Sequence, residues 1–190
     1  MDKNPNGICF ADMKDNPIHL DAYKMCNENV MVYRYENGEY YFDPDAPVSK
    51  MDFLVMVMCV SGKDSDVTAV ADSIADDDSG LSSGLMGYLS QAYECGLIKL
   101  ENGKFSPKSN ITVADAAFMV SKALDLPFVG SNMVSADGDS QYNAIEASVS
   151  AGIFDMDFEA IDSNATLTKS DAARLLNRMA EYMQENNIQK

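Results

Sequence analysis

The sequence contains no tryptophan and one histidine, His19, and its 14 lysines and arginines face 30 aspartates and glutamates. The resulting formal charge of −16 removes the basic face that nucleic acid and anionic membrane both require. Four cysteines, Cys9, Cys26, Cys59 and Cys95, include no C-x-x-C pair. With a single histidine they lack the spacing of a zinc site. A disulfide between Cys9 and Cys26 is not called for by the spacing; free, largely buried thiols are expected instead. No apolar run is long enough to span a bilayer, so no transmembrane segment is expected. A signal peptide is also missing. The opening Met1-Asp2-Lys3-Asn4-Pro5-Asn6-Gly7 reads as a boundary cut into a longer protein, so the missing signal does not argue for the cytosol.

Catalytic signatures are equally sparse. There is no Walker loop and no dinucleotide fingerprint. Gly80-Leu81-Ser82-Ser83-Gly84 matches G-x-S-x-G. The polar stretch before it is not the apolar strand a nucleophile elbow needs, and His19 lies on the wrong side in chain order. Asp76-Asp77-Asp78 lacks the alternating ligands and distal Glu of an EF-hand and reads as a solvated turn. No metal, no cofactor and no catalytic residue is expected. The 13 methionines read as core filling.

What the chain does have is one helix start written three times. Val48-Ser49-Lys50-Met51-Asp52-Phe53, Ile111-Thr112-Val113-Ala114-Asp115-Ala116 and Leu167-Thr168-Lys169-Ser170-Asp171-Ala172 all read apolar, Ser/Thr, any, any, Asp, apolar. The hydroxyl caps a free N–H of the first helical turn, and the Asp can reach back to the cap while favouring the positive helix end. The caps stand at Ser49, Thr112 and Thr168, at near-even intervals along the chain. A repeat on that scale governs the fold. One unit is too small to bury a core alone, so the three should form one compact domain. The repeats are bounded at residues 8–62, 72–127 and 133–184.

Each box ends a longer frame. Before the first stand Phe10-Ala11-Asp12, Asn37-Gly38 and Phe42-Asp43-Pro44; before the second, Ile74-Ala75-Asp76, Gly96-Leu97-Ile98, Asn102-Gly103 and Phe105-Ser106-Pro107; before the third, Val134 to Asp137 and Gly152-Ile153-Phe154. The first repeat carries four extra residues within the Tyr33–Phe42 segment. This frame resembles the S-layer homology (SLH) repeat of bacterial surface proteins, in which a leading Asp, a Gly-Ile turn, a "dG.F.P" loop and an "(I/V)-T-R-A-E" box follow in this order. The resemblance runs over nearly the whole chain. Where the family has a box Arg this chain has Lys50, Val113 and Lys169; its box Glu is Asp in all copies, and the third loop lacks the Pro.

Read locally, Pro17 opens a first helix with Ile18, Ala22 and Cys26 on one face, ending near Asn29. Val30 to Phe42, around Asn37-Gly38, reads as a two-stranded hairpin or a long loop with strand character. Residues 51–60 are apolar on every face except Asp52, the mark of a buried helix. In the second repeat Leu85, Tyr88, Leu89, Ala92 and Tyr93 mark a helix face, and in the third Tyr142, Ile145 and Val149 do so. The last box opens a helix with Ala172, Leu175, Leu176, Met179, Ala180 and Met183 inward and Arg174, Arg178 and Glu181 outward. The fold class expected is mainly α: three helix–loop–helix repeats in a pseudo-threefold arrangement around a central three-helix bundle, which is also the shape the resemblance implies.

The resemblance further implies a non-catalytic, extracellular module on the bacterial cell surface. It would hold a secondary cell-wall polysaccharide bearing pyruvyl or phosphate groups in the grooves between repeats. The box cation would reach the anion and the leading Asp the sugar hydroxyls. Transferred to this chain, the ligand-binding residues are Asp12, Lys50, Asp76, Asp137 and Lys169, with the groove nearest Val113 the weakest. Read from the residues alone, the lysines could equally sit exposed in a first helical turn, and the aspartates could be turn residues. A module that has lost the glycan site and binds a protein partner is the alternative.

Overall fold

The computed structural model describes residues 9–127, 141–154 and 161–189, the side chains of 141 and 142 excepted. It is mainly helical. A 3-10 turn at Ala11–Met13 leads into α1 (His19–Asn27), a hairpin of β1 (Arg34–Glu36) and β2 (Glu39–Tyr41), and α2 (Lys50–Ser61). Then follow α3 (Ser83–Glu94), α4 (Val113–Ala123), α5 (Gln141–Ser150) and α6 (Lys169–Glu185). Val134 to Asp137, the Tyr142 side chain and the loop after Phe154 lie outside the described residues.

The three boxes start α2, α4 and α6. The Ser49, Thr112 and Thr168 side-chain oxygens accept the N–H of Asp52, Asp115 and Asp171 at 3.0, 3.1 and 3.2 Å. This is the cap geometry that satisfies an orphan first-turn donor. Only the third copy is seen to close the reciprocal half, Thr168 N–H donating to Asp171 at 2.9 Å. In the first copy Asp52 accepts the Ser49 hydroxyl at 2.7 Å, and in the second Asp115 meets a lysine from another repeat.

The residues before the caps are hydrogen-bonded to one another in a closed ring. Val48 N–H donates to Leu167 O (3.4 Å), Leu167 N–H to Ile111 O (3.0 Å), and Ile111 N–H to Val48 O (2.9 Å). The next free donors form a second circuit, running the opposite way round the repeats. Lys50 N–H donates to Ser109 O, Val113 N–H to Ala165 O and Lys169 N–H to Ala46 O, at 2.8, 2.9 and 2.8 Å. In each case the acceptor lies one turn before another repeat's cap. Helix starts otherwise left with unpaired N–H groups are thus satisfied by the neighbouring repeat.

Packing follows a like order. Helix α2 contacts α4 and α6, while α3 lies on α2, α5 on α4 and α1 on α6. Each first helix therefore rests on the box helix of another repeat, and the last of these contacts joins the two ends of the chain. At that join Asn177 donates to Asp21 (2.7 Å) and Glu181 (3.0 Å), and Lys24 pairs with Glu181 at 3.0 Å. The core is continuous, with Phe53, Leu54, Val57, Met58, Leu89, Ile111, Ala117, Leu176 and Met179 all within it.

The hairpin turns at Asn37 (φ 52°) and Gly38 (φ 88°). This left-handed pair matches the twist of a two-residue connection. Tyr35 pairs with Tyr40 across it. Three local expectations are corrected. Tyr93 is half exposed rather than inward. Of the four free thiols only Cys26 is buried, whereas Cys59 is half-buried and Cys9 and Cys95 are exposed, Cys95 at the C-terminal end of α3. Asp78 is not solvated but buried: it accepts the Ser73 hydroxyl (2.7 Å) and the N–H groups of Ile74 (2.9 Å) and Ala75 (3.1 Å). Burial alone would raise its carboxyl pKa; those donors, Ser73 foremost, outweigh it and hold the group below the ordinary value.

Candidate functional site

Two aspartates, Asp12 and Asp77, brace the loops that precede the first two boxes. Asp12 accepts the N–H of Phe42 (2.9 Å) and of Asp43 (2.6 Å). In the second repeat the same bonds, to Phe105 (3.0 Å) and Ser106 (2.8 Å), are made by Asp77 rather than Asp76. Asp43 and Ser106 carry left-handed φ values of 59° and 60°. Such values are unusual for non-glycine residues, and the carboxylates fasten those two peptides. Asp76 is exposed; its N–H donates to Gly103 O at 2.8 Å, so it lies against the Asn102-Gly103 turn. Asp137 is outside the described residues.

Lys50 is one residue past the first cap and enters a groove of about 220 Å³ formed with the second repeat. Leu97, Ile98, Phe118 and Met119 make its apolar floor. The Lys50 ammonium lies 3.1 Å from Asp115, with both side chains largely buried, and 5.3 Å from the Phe105 ring centre. Lys99 and Glu101 also line this groove, so its cations and carboxylates are equal in number.

Lys169, one residue past the third cap, is engaged in another way. Its ammonium donates to the carbonyls of Val32 (2.6 Å) and Phe42 (2.7 Å) and sits 4.5 Å over the Phe42 ring. It thereby ties both ends of the hairpin to the start of α6. Burial pulls the Lys169 pKa below its ordinary value. Burial also pushes the neighbouring Cys26 thiol up to about 11, the opposite of an activated thiol.

Val113, one residue past the second cap, lines a groove of about 240 Å³ with Ile153, Phe154, Leu167 and Leu175. Two arginines, Arg174 and Arg178, also line it, with Asp171 between them and the helix start. They stand one turn apart on α6, and among the described residues that line this groove cations outnumber carboxylates two to one. Neither was singled out as a ligand in the sequence, where they read as the polar face of a helix. A signal was there nonetheless. At the two matching places past the cap stand Val55 and Cys59 in the first copy, Phe118 and Lys122 in the second, and Arg174 and Arg178 in the third. Both cations occur together only in the copy that faces the box without one.

Among the described residues no group of histidines, cysteines and carboxylates is arranged to hold a metal ion, and no helix is long and apolar enough to cross a membrane. No protein-family model and no curated protein matches this sequence.

Proposed function

We propose that the chain is an SLH-type surface module that carries out no chemistry and anchors a bacterial protein to the cell wall by binding wall polysaccharide in a groove between repeats. Its three repeats are read as lying about a pseudo-threefold axis through the box helices. The closed ring linking Val48, Leu167 and Ile111, with its repeated outer bonds, supports that reading. The site of action would be the extracellular face of the wall.

The observation that carries the functional reading is the pair Arg174 and Arg178 over an apolar floor at Val113. Guanidinium groups suit the carboxylate or phosphate substituents of such a glycan, since their planar fork can bond two oxygens at once. The apolar floor suits the carbon skeleton of a sugar. Lys50 and Lys169 are secondary contributors in this account. The Lys50 groove is balanced in charge, and Lys169 is held by the hairpin carbonyls. Asp12 and Asp77 act by shaping the loops, and Asp76 is left at the exposed turn. The net charge of −16 slows the approach of an anionic chain without forbidding contact. Repulsion beyond about 8 Å is screened at physiological salt.

The engagement of both lysines favours one second reading, a protein-binding module built on the same fold. A pull-down of the purified chain on isolated Gram-positive walls, intact or stripped of their polysaccharide, separates the two. Retention on intact walls alone supports glycan anchoring. Equal retention on both, or on neither, supports the protein-binding role.

A further inference from the structure

The first-repeat hairpin carries aromatic surface that its counterpart in the second repeat does without. There the chain turns within Glu101-Asn102-Gly103-Lys104, with a single bridge between Glu101 and Lys104. In the first repeat the extra length holds Tyr33, Tyr35, Tyr40 and Tyr41. From these residues we infer a second binding surface, for neutral pyranose sugars, on the Tyr33–Tyr35–Tyr40 face of the hairpin. It is separate from the Val113 groove and does not depend on it.

The rings form a continuous chain of tilted and edge-on contacts from the core outward. Phe42 and Phe10, both fully buried, have centroids 5.5 Å apart; Phe10 to Tyr33 is 5.8 Å, Tyr33 to Tyr40 is 5.4 Å and Tyr40 to Tyr35 is 4.8 Å. At the outer end Tyr35 is 64% exposed, and Tyr33 is 39% exposed. An aromatic ring held in place on one side and open on the other offers its face at little entropic cost, which is what a weakly hydrated sugar C–H face needs.

Charge narrows the ligand. Arg34, the one cation of the hairpin, is clamped by both oxygens of Asp43 (2.8 and 3.1 Å) and by Glu36, and its guanidinium lies 4.8 Å over the Tyr41 ring. With Glu39 added, the hairpin is net acidic and repels an anionic chain. Size narrows it further. The two strands are three residues each. They offer far less than the roughly 1000 Å² a stable protein contact requires. A second copy would also bring its own charge of −16. One or two sugar rings match the patch.

The absence of tryptophan makes tyrosine fluorescence a direct readout. The full chain is titrated with triacetylchitotriose and with cellotriose, up to about 20 mM, the range in which weak, millimolar contacts saturate. Saturable quenching with at least one sugar is expected. It should weaken more than tenfold in Tyr35→Ala, persist in Tyr35→Trp, and stay unchanged in Tyr93→Ala, a control on α3 that is also open to solvent. Arg178→Ala should leave it unchanged as well, which separates its failure from failure of the groove reading. No saturable change with either sugar overturns the inference, as does a change indifferent to Tyr35→Ala. Concentration-dependent self-association of the wild type that Tyr35→Ala abolishes also overturns it, in favour of a contact between copies.

Discussion

The Lys50 and Val113 grooves stand at matching places in the chain and differ in electrical character: the described lining of the first is balanced, that of the second has one cation more than it has carboxylates. Each is entered by the residue after a cap, walled by the Asp of the next box and floored by that helix's apolar residues. In the first groove the cation comes from the entering residue and is spent on Asp115 at 3.1 Å. In the second the entering residue is Val113 and the cations come from further along the facing helix, as Arg174 and Arg178. A single motif position is therefore a poor guide to where charge ends up. What matters is the sum over the two repeats that meet.

The largest effect should come from removing the brace of the loop before the second box, whose Phe105 ring lies beside the Lys50 ammonium. Asp77→Ala should cost about 2–3 kcal/mol, because two loop N–H groups lose an ionised acceptor at a left-handed backbone position. Asp76→Ala should stay within about 0.5 kcal/mol, as expected of an exposed side chain. Chemical denaturation of the two variants measures the difference, and equal losses would erase the assignment of Asp77 as the counterpart of Asp12. Next in size is the ion pair. Lys50→Met should destabilise by about 1–2 kcal/mol, between an exposed and a fully buried pair, and a double-mutant cycle with Asp115→Asn should recover much of that. Additive losses would mean that the lysine is not spent on Asp115 and is available to a ligand.

The caps come third. Thr168→Ala should cost about 1 kcal/mol and Thr112→Ala somewhat less. Thr168 exchanges both bonds with its Asp, whereas Asp115 is paired with Lys50. Thermal melts decide, and wild-type melting of either variant would show the boxes to be incidental. The smallest effect concerns pH. The folded-state pKa of Lys169 lies below its ordinary value of 10.5. In the window between the two, the unfolded chain binds more protons. Stability contributed by this group should therefore rise with pH through that window and level off above it. Lys169→Met should flatten that rise; an unchanged slope would place its origin elsewhere.

Much of the fold was legible because it is written in local signals. The caps at Ser49, Thr112 and Thr168, the Asn37-Gly38 turn and the apolar run 51–60 each specify their element through neighbours a few residues away. Less legible was whatever depends on contact between repeats. In Asp76-Asp77-Asp78 all three residues are chemically alike, and nothing local says that the second reaches the Phe105 loop while the third turns inward. Val113 looked like the loss of a site because the residues that restore charge there belong to the following repeat. Burial of Cys26 likewise follows from the packing of α1 on α6, a helix of another repeat.

The most direct test of the central claim is calorimetric titration of the full chain with purified anionic wall polysaccharide, in wild type, Lys50→Met and the double variant Arg174→Ala/Arg178→Ala. The account predicts that the double variant loses at least tenfold in affinity, as two charge-assisted contacts disappear, while Lys50→Met changes it by less than about threefold. Moderate salt should first strengthen wild-type binding by screening the repulsion and then weaken it. Loss of binding in Lys50→Met with the double variant unaffected would contradict the account and return the site to the first groove.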